Sequence, residues 1–565
     1  MTEKMSLRDW VLISVLTVVV AVISFARLGD LHAPQTSWTP TTGERAVFHF
    51  HEPTFLASMF YRMGARHDQG FIIELSVDGE VWSVFDTVEG ANVFYWTDKP
   101  LGFYTQWLAL TPTRHELRLQ EVAFRDELGG IITQVHRSPN AWALMDEQHL
   151  VPAYNSFMNS TYFDEIYHPR TGYEFVHRLW VYETTHPPLG KVFIAAAVRV
   201  FGMTPFGWRF PGTLFGVLMV PLLYAFARVM FKSNNWALFA AFIFSFDFMR
   251  FAQTRLATID TYVTFFVIAM YFCMFMYVKR VEEFATHRKW SDSEFFKKTL
   301  PLLALCGAAM GLAIASKWQG VYGAVGLPIL FFPALYRVYT TEPRYEKRKT
   351  KITFLSCFGF FIFIPLVIYT LSYIPFILAM GGGLRSAWDN QQHMFSYHAG
   401  LVAEHGFSSN WWSWPIMVRP IWIYVSRISA DVNAGMTSFG NPAVWWTGIG
   451  VTVVAVVHLY NRRRAITSDA YIPIFLLVAY AVQFLPWAFV SRLTFIYHYF
   501  PSVPFIVLLI TWFFMKYVKT RGITFVYAAV VLVLFAFFYP VLSGWPMNPD
   551  FVRTFHAWFP GWVFM

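Results

Sequence analysis

A polytopic α-helical membrane protein with about eleven transmembrane helices and one small extracytoplasmic β-sandwich is the fold class that this sequence predicts. Three observations carry it. Over 565 residues, 56% are hydrophobic, 20% aromatic and only 14% charged, a makeup foreign to soluble multidomain chains. Apolar runs long enough to cross a bilayer recur along the chain. Lys and Arg, which give a net charge of +9, gather in short clusters between those runs, where cytoplasmic loops keep them, so nucleic acid is a poor partner for this basic chain.

Residues 1–34 hold the first span, an apolar run at 10–26 behind Lys4 and Arg8. A signal-peptide core looks similar, but the length of the run and the many later spans favour a retained helix with a cytoplasmic N-terminus. Residues 35–138 read as a soluble insert. Its alternating runs 71–76, 81–85, 92–96, 104–110 and 115–119 are divided by turn signals such as Asp78-Gly79, which predicts a small β-sandwich. The pattern resembles discoidin-like, galactose-binding-type modules; glycan or acceptor binding and a spacer role both stay open.

Residues 139–207 form an extracytoplasmic loop with juxtamembrane helices. The stretch 190–202, thirteen residues carrying Lys191 and Arg199, is too short to span and reads as an interfacial helix on the outer surface. His186-Pro187-Pro188 sets its start, because consecutive prolines lock φ and disfavour helix before them. A transmembrane core at 208–380 has apolar runs at 210–227, 235–252, 258–278, 300–316, 320–336 and 352–380. An outer loop, 381–441, precedes the C-terminal spans and tail of 442–565, with runs at 442–459, 471–490, 495–515 and 523–540. The three cysteines, Cys273, Cys306 and Cys357, lie inside apolar runs without metal-site spacing and read as packing residues.

Threading the chain from a cytoplasmic N-terminus places the basic clusters Arg228/Lys232, 279–298, 337–351, 462–464 and 516–521 inside. The same threading leaves Asp164, Glu165, His186, Lys191, Arg209, Arg255, Lys317, His398, Arg419, Arg492 and His498 outside. Acidic, imidazole and cationic groups at one water-facing edge of a membrane domain point to catalysis there.

The segments Tyr162-Phe163-Asp164-Glu165-Ile166-Tyr167, Thr185-His186-Pro187-Pro188-Leu189-Gly190-Lys191 and Trp208-Arg209 resemble those of the protein O-mannosyltransferase family, membrane glycosyltransferases of the GT-C type. Gln253-Thr254-Arg255 with Asp260, Ser316-Lys317-Trp318 with Gly320, Tyr397-His398, the stretch 411–415 with Arg419-Pro420, and the stretch 496–501 resemble family segments in the same order. The resemblance covers roughly residues 150–545. It implies inverting transfer of a sugar, foremost mannose, from a polyprenyl phosphate to a hydroxyl acceptor, without a metal or other cofactor. Serine or threonine of secreted proteins is the implied acceptor, with an envelope glycan or lipid as the alternative.

That reaction needs a base for the acceptor proton, cations for the leaving phosphate and access to lipid and water. The resemblance assigns the base to Asp164, with Glu165 beside it orienting a cation such as Arg209. Arg209 is the first phosphate candidate because a guanidinium grips phosphate oxygens bidentately; a snorkelling arginine is the alternative. Arg255 and Lys317 share that placement, or else pair with Asp260 or Asp247. His186 either contacts the donor or caps structurally, and Lys191 faces either the site or lipid headgroups. Tyr397, His398 and Arg419 are expected on the donor-binding rim, while Trp411, Trp412 and Trp414 suit a sugar rim or an interfacial belt.

The family often has an aspartate shortly before its His-Pro-Pro, whereas here Glu183 stands in that neighbourhood. The outer loop is too short for the large insertion of eukaryotic members, which implies a prokaryotic enzyme of the plasma membrane. Asp164, Glu165 and His168 lack metal-ligand spacing, so no metal is expected. A secondary transporter would put its charges near the midplane, and a receptor would need only an anchor. Oligomeric state is not readable.

Overall fold

The computed structural model describes residues 5–41, 43–65, 70–90, 92–113, 117–287, 290–343, 347–462 and 470–565. Arg288, Lys289, Arg344, Arg463 and Arg464 of the expected basic clusters, Lys4, and the start of the run at 115–119 lie outside the described residues. The chain divides into two units, one of Met1–Ala26, Thr184–Phe193 and Phe210–Met565 and the other of Arg27–Glu183 and Ile194–Arg209.

The first unit is helical. It contains α1 (Leu7–Phe25) and the start of α3 (Leu189–Phe201), then most of α4 (Pro205–Phe231) and α5 (Asn234–Ser245), α6 (Phe248–Thr254), α7 (Asp260–His287), α8 (Asp292–Ser316) and α9 (Gly320–Thr341). α10 (Arg348–Phe358), α11 (Ile364–Ser372) and α12 (Ile374–Met380) run on through a π-turn, and α13 (Leu384–Gly400) follows. The chain ends with α14 (Pro442–Asn461), α15 (Tyr471–Phe484), α16 (Val503–Tyr517), α17 (Arg521–Ser543) and α18 (Pro549–Phe555). A hairpin of β7 (Ile421–Arg427) and β8 (Asn433–Ser438), edged by β9 (Pro546–Met547), completes it.

Among the described residues, ten helices are long and apolar enough to cross a membrane. The expected eleventh, 235–252, is broken between α5 and α6. Asp247 stops it by capping α6: its carboxylate accepts from the backbone N–H of Arg250 at 3.1 Å and of Asn441 at 3.2 Å, and from Trp445 Nε1 at 3.0 Å. Asn441 Nδ2 donates to the freed carbonyl of Phe246 at 3.1 Å, so neither side of the break leaves its polar groups bare in an apolar setting. The stretch expected as an interfacial helix is α3, and it is not among the ten.

α1 is tied firmly into its unit. Ser6 and Asp9 form a capping box at its start. The same Asp9, fully buried, accepts from Tyr224 Oη at 2.7 Å and Arg228 Nε at 3.1 Å on α4.

The second unit carries the sheet. β1 (Ala46–Met63), β2 (Gly70–Ser76), β3 (Ser83–Glu89), β4 (Trp96–Pro112), β5 (Leu119–Arg125) and β6 (Val135–Arg137) pair antiparallel in the order β3-β2-β4-β1-β5, with β6 on β1. The expected sandwich is one continuous hydrogen-bonded sheet that folds over itself. β1 breaks register between His49 and Thr54. Beyond that break Met59 pairs with Phe124, yet the Phe124 ring lies 5.1 Å from Phe48 and 5.4 Å from Phe50, on the earlier half of the same strand. The two halves therefore face each other across a core of Phe48, Phe50, Met59, Leu108, Leu119 and Phe124. The run expected at 92–96 supplies only the first residue of β4. α2 (His168–His177), in the same unit, ends at Arg178, in the left-handed conformation.

Candidate active site

In the second unit, Asp164 sits half-buried in the 3-10 turn Phe163–Ile166. Phe163, just before it, has φ +56°, a left-handed conformation that a bulky residue adopts only where its surroundings enforce it. Glu165 and Arg209 do the enforcing. Both are fully buried, and the guanidinium grips the carboxylate twice, Nε to Oε1 at 2.7 Å and Nη2 to Oε2 at 2.6 Å. Glu165 Oε2 also accepts the backbone N–H of Tyr162 at 3.3 Å, which closes the turn on itself.

The other Arg209 donors are spent on backbone. Nη1 donates to the carbonyls of Leu28, at 3.0 Å, and Phe157, and Nη2 to that of Ser160, at 3.0 Å. A guanidinium has five N–H groups, and all five are engaged. Arg209 thus matches the expectation that Glu165 orients it, but it has no donor left for a phosphate. Glu183, buried in the same unit, lies 3.9 Å from His168.

In the first unit, a cleft of about 630 Å³ is lined by His186, Lys317, Trp318, Gln391, His398 and Arg492, with Tyr322, Tyr369, Phe395, Trp487 and Phe489 supplying apolar wall. Lys317 ends α8, and the tight turn into α9 depends on Gly320, where a Cβ would stand 2.6 Å from the Ala313 carbonyl carbon. Lys317 Nζ donates to Asp260 Oδ1 at 2.7 Å. An ammonium has three donors, so this pairing leaves capacity toward the cleft. Arg492, half-buried, forms no ion pair among the described residues.

His398 has its Nε2 2.8 Å from the Thr185 carbonyl, which fixes the proton there and makes Nδ1 an acceptor. Burial, then the neighbouring His186 and Arg492, push its pKa down to about 4, so the ring is neutral near pH 7. Its centroid lies 5.3 Å from that of His186. The Thr184-Thr185 backbone is held by a relay. Trp318 Nε1 donates to Tyr369 Oη at 3.0 Å, Tyr369 Oη to Gln391 Oε1 at 2.7 Å, and Gln391 Nε2 to Tyr373 Oη at 2.7 Å. Tyr373 Oη then donates to Asn390 Oδ1 at 2.9 Å, and Asn390 Nδ2 to the Thr184 carbonyl at 2.8 Å.

The remaining expected residues lie elsewhere. Lys191 is buried and donates to the His186 carbonyl at 2.8 Å, so it braces the prolyl turn and does not face headgroups. Arg255, fully buried, ties Ala26 at 2.8 Å to Ser543 at 3.5 Å through their carbonyls. Arg419 is exposed and bonded to the Gly406 carbonyl at 2.6 Å, and Tyr397 is 40% exposed beside His398; neither lines the cleft. Trp414 is a core residue against Trp487, while Trp412 is exposed. Tyr369, Tyr373 and Asn390 escaped the sequence reading; the signal was two tyrosines inside an apolar run. Glu121, Asp146 and Glu147 place carboxylate oxygens within 4.8 Å of one another, but Gln35, Thr36 and Gln148 already hydrogen-bond them. Burial pushes Glu121 up to about 8.

Comparison with known proteins places the chain in a family. Residues 200–378 match the family model of dolichyl-phosphate-mannose-protein mannosyltransferases, and residues 384–562 match that of the C-terminal four-transmembrane region of protein O-mannosyltransferases, together well over half of the chain. The polyprenol-phosphate-mannose–protein mannosyltransferase of Mycobacterium tuberculosis is 26% identical over 471 residues, 74% of this chain and 86% of the relative. That of Corynebacterium glutamicum is 25% identical over 491 residues, 74% of this chain and 93% of the relative. The Saccharomyces cerevisiae Pmt1-Pmt2 complex bound to its sugar donor superposes with a TM-score of 0.62 at 13% identity over 71% of this chain and 89% of that one, which shows a common fold.

Proposed function

Because the chain belongs to the protein O-mannosyltransferase family, we infer that it is a membrane glycosyltransferase that transfers mannose from a polyprenyl phosphate to protein hydroxyl groups. The observation that carries this reading furthest in the structure is the cleft. Its two cations stand among aromatic and apolar walls, as an anionic phosphate with a long apolar tail requires.

Lys317 and Arg492 take the donor phosphate in this reading, and stabilise the negative charge that grows on it as the C1–O bond breaks. His398, neutral and with Nδ1 free to accept, takes a sugar hydroxyl; His186 beside it is the second sugar contact. Asp164 accepts the proton of the attacking serine or threonine hydroxyl while that oxygen bonds to C1 from the opposite face, which inverts the anomeric centre and releases polyprenyl phosphate. Glu165 and Arg209 are positioning residues that hold the strained turn of Asp164. No metal is assigned a role, since the protein's own cations meet the leaving group. The basic loop clusters favour an extracytoplasmic site, and the outer loop 381–441, too short for the insertion of eukaryotic members, favours a prokaryotic plasma membrane.

The test uses purified full-length protein in lipid nanodiscs with labelled polyprenyl-phosphate-mannose and a Ser/Thr-rich acceptor peptide. Labelled peptide is the expected product, unaffected by a chelator. Label passing only to an envelope glycan or lipid would favour the alternative acceptor, and no transfer to either would overturn the reading.

A further inference from the structure

A second cavity in the first unit, about 860 Å³, lies along α5 and α17 and has no part in the chemistry above. It is polar at one end and apolar along its length. Arg8, at the start of α1, and Arg521, the first residue of α17, stand at the polar end with Asn235, while Phe242, Phe525 and Leu532 line the rest. Among the described residues, no acidic side chain lines it. The nearest acid in sequence, Asp9, spends its oxygens on Ser6, Tyr224 and Arg228. Arg8 is held toward the mouth by a hydrogen bond from Nη2 to Asn235 Oδ1 at 3.3 Å. Arg521 is exposed and forms no ion pair among the described residues.

The dimensions also fit one kind of ligand. From Arg521 to Leu532 along α17 is about 16 Å at the helical rise, close to one leaflet of a hydrocarbon core about 30 Å thick. The mouth collects the N-termini of α5 and α17, and Thr520 makes no side-chain cap on the latter, so first-turn N–H groups add to the positive field. A water-soluble anion would use the mouth and leave the aromatic groove empty; a neutral lipid would fill the groove and leave two arginines without a counter-charge.

We propose that this groove is a binding site for one anionic phospholipid, its phosphate between Arg8 and Arg521 and an acyl chain along Phe242, Phe525 and Leu532. The occupant belongs to the leaflet on the side of the N-terminus and joins α5 to α17.

Native mass spectrometry of the full-length protein, delipidated and then mixed with phosphatidylglycerol and phosphatidylcholine of matched chains, tests this. A single phosphatidylglycerol should be retained in preference by about thirtyfold, the size expected of two basic side chains at an anionic headgroup. Arg8→Gln with Arg521→Gln should abolish the preference, and both sites are exposed, so folding is not at stake. Ala528→Trp, which fills the groove, should reduce retention of both lipids, and Lys297→Gln, exposed on α8, should change nothing. Equal retention of the two lipids, a preference that survives the double variant or is lost equally in Lys297→Gln, or displacement by inorganic phosphate or by polyprenyl phosphate in trace amount would each overturn it.

Discussion

Arg209 and Arg492 are two cations of one chain in opposite situations. Arg209 is buried with five N–H groups on five protein acceptors, whereas Arg492 stands at a cleft with no ion-pair partner among the described residues. Sequence favours the first, because it lies in the Trp208-Arg209 segment. Geometry favours the second. A charged group serves a substrate only with the donors its own fold has left over, so counting those donors separates a strut from a ligand where residue type and position along the chain do not.

The largest expected effect lies beside the strut. Asp164→Asn should lower transfer by about a hundredfold to ten-thousandfold, the usual worth of a general base, with thermal unfolding unchanged; full transfer by this variant removes Asp164 from the chemistry. Next comes the strut itself. Arg209→Ala strands the buried Glu165 carboxylate and should destabilise the protein by about 3–5 kcal/mol, read as a fall in unfolding temperature, while the donor KM of the folded fraction stays put. A raised KM at unchanged stability would collapse the distinction between the two arginines.

Arg492→Ala should behave in the opposite way. Loss of a charge-assisted contact worth about 1.5–3 kcal/mol predicts a ten- to hundredfold fall in kcat/KM for the donor without a change in unfolding temperature. The smallest effect concerns His398. Its folded pKa is depressed from 6.5 to about 4, so the unfolded chain binds the extra proton first as pH falls. Stability should therefore be full above about pH 6.5 and decline toward pH 4. His398→Gln should flatten that part of the stability profile, and an unchanged slope would show that the ring is not buried neutral.

The helical architecture was legible because the length and apolarity of a run obey bilayer physics directly. The break in the run 235–252 was legible in hindsight, since an acid in mid-run at Asp247 is a helix cap waiting for partners, and its partners Asn441 and Trp445 lie nearly two hundred residues on. β1 was missed because Pro53 and a polar stretch at 51–54 interrupt its alternation, at the place where the strand bends. Asp164, Glu165 and Lys317 entered the candidate site through the resemblance of their segments to the family's, since an exposed Asp-Glu pair or a lysine at a span end is by residue type alone most often just solvated or paired. The saturation of Arg209 could not, because its partners are mostly carbonyl oxygens, which every residue has and no sequence distinguishes. The relay from Trp318 to Asn390 was hidden for a related reason: tyrosines in an apolar run look like packing until their hydroxyls find each other.

Every acceptor that Arg209 binds precedes it in the chain, at residues 28, 157, 160 and 165. During biosynthesis the corner cannot close until residue 209 has been made and delivered to the same side as those acceptors. The turn that carries Asp164, made after the sheet-bearing segment, therefore waits through the emergence of α2 and α3 for a single late arginine to lock it.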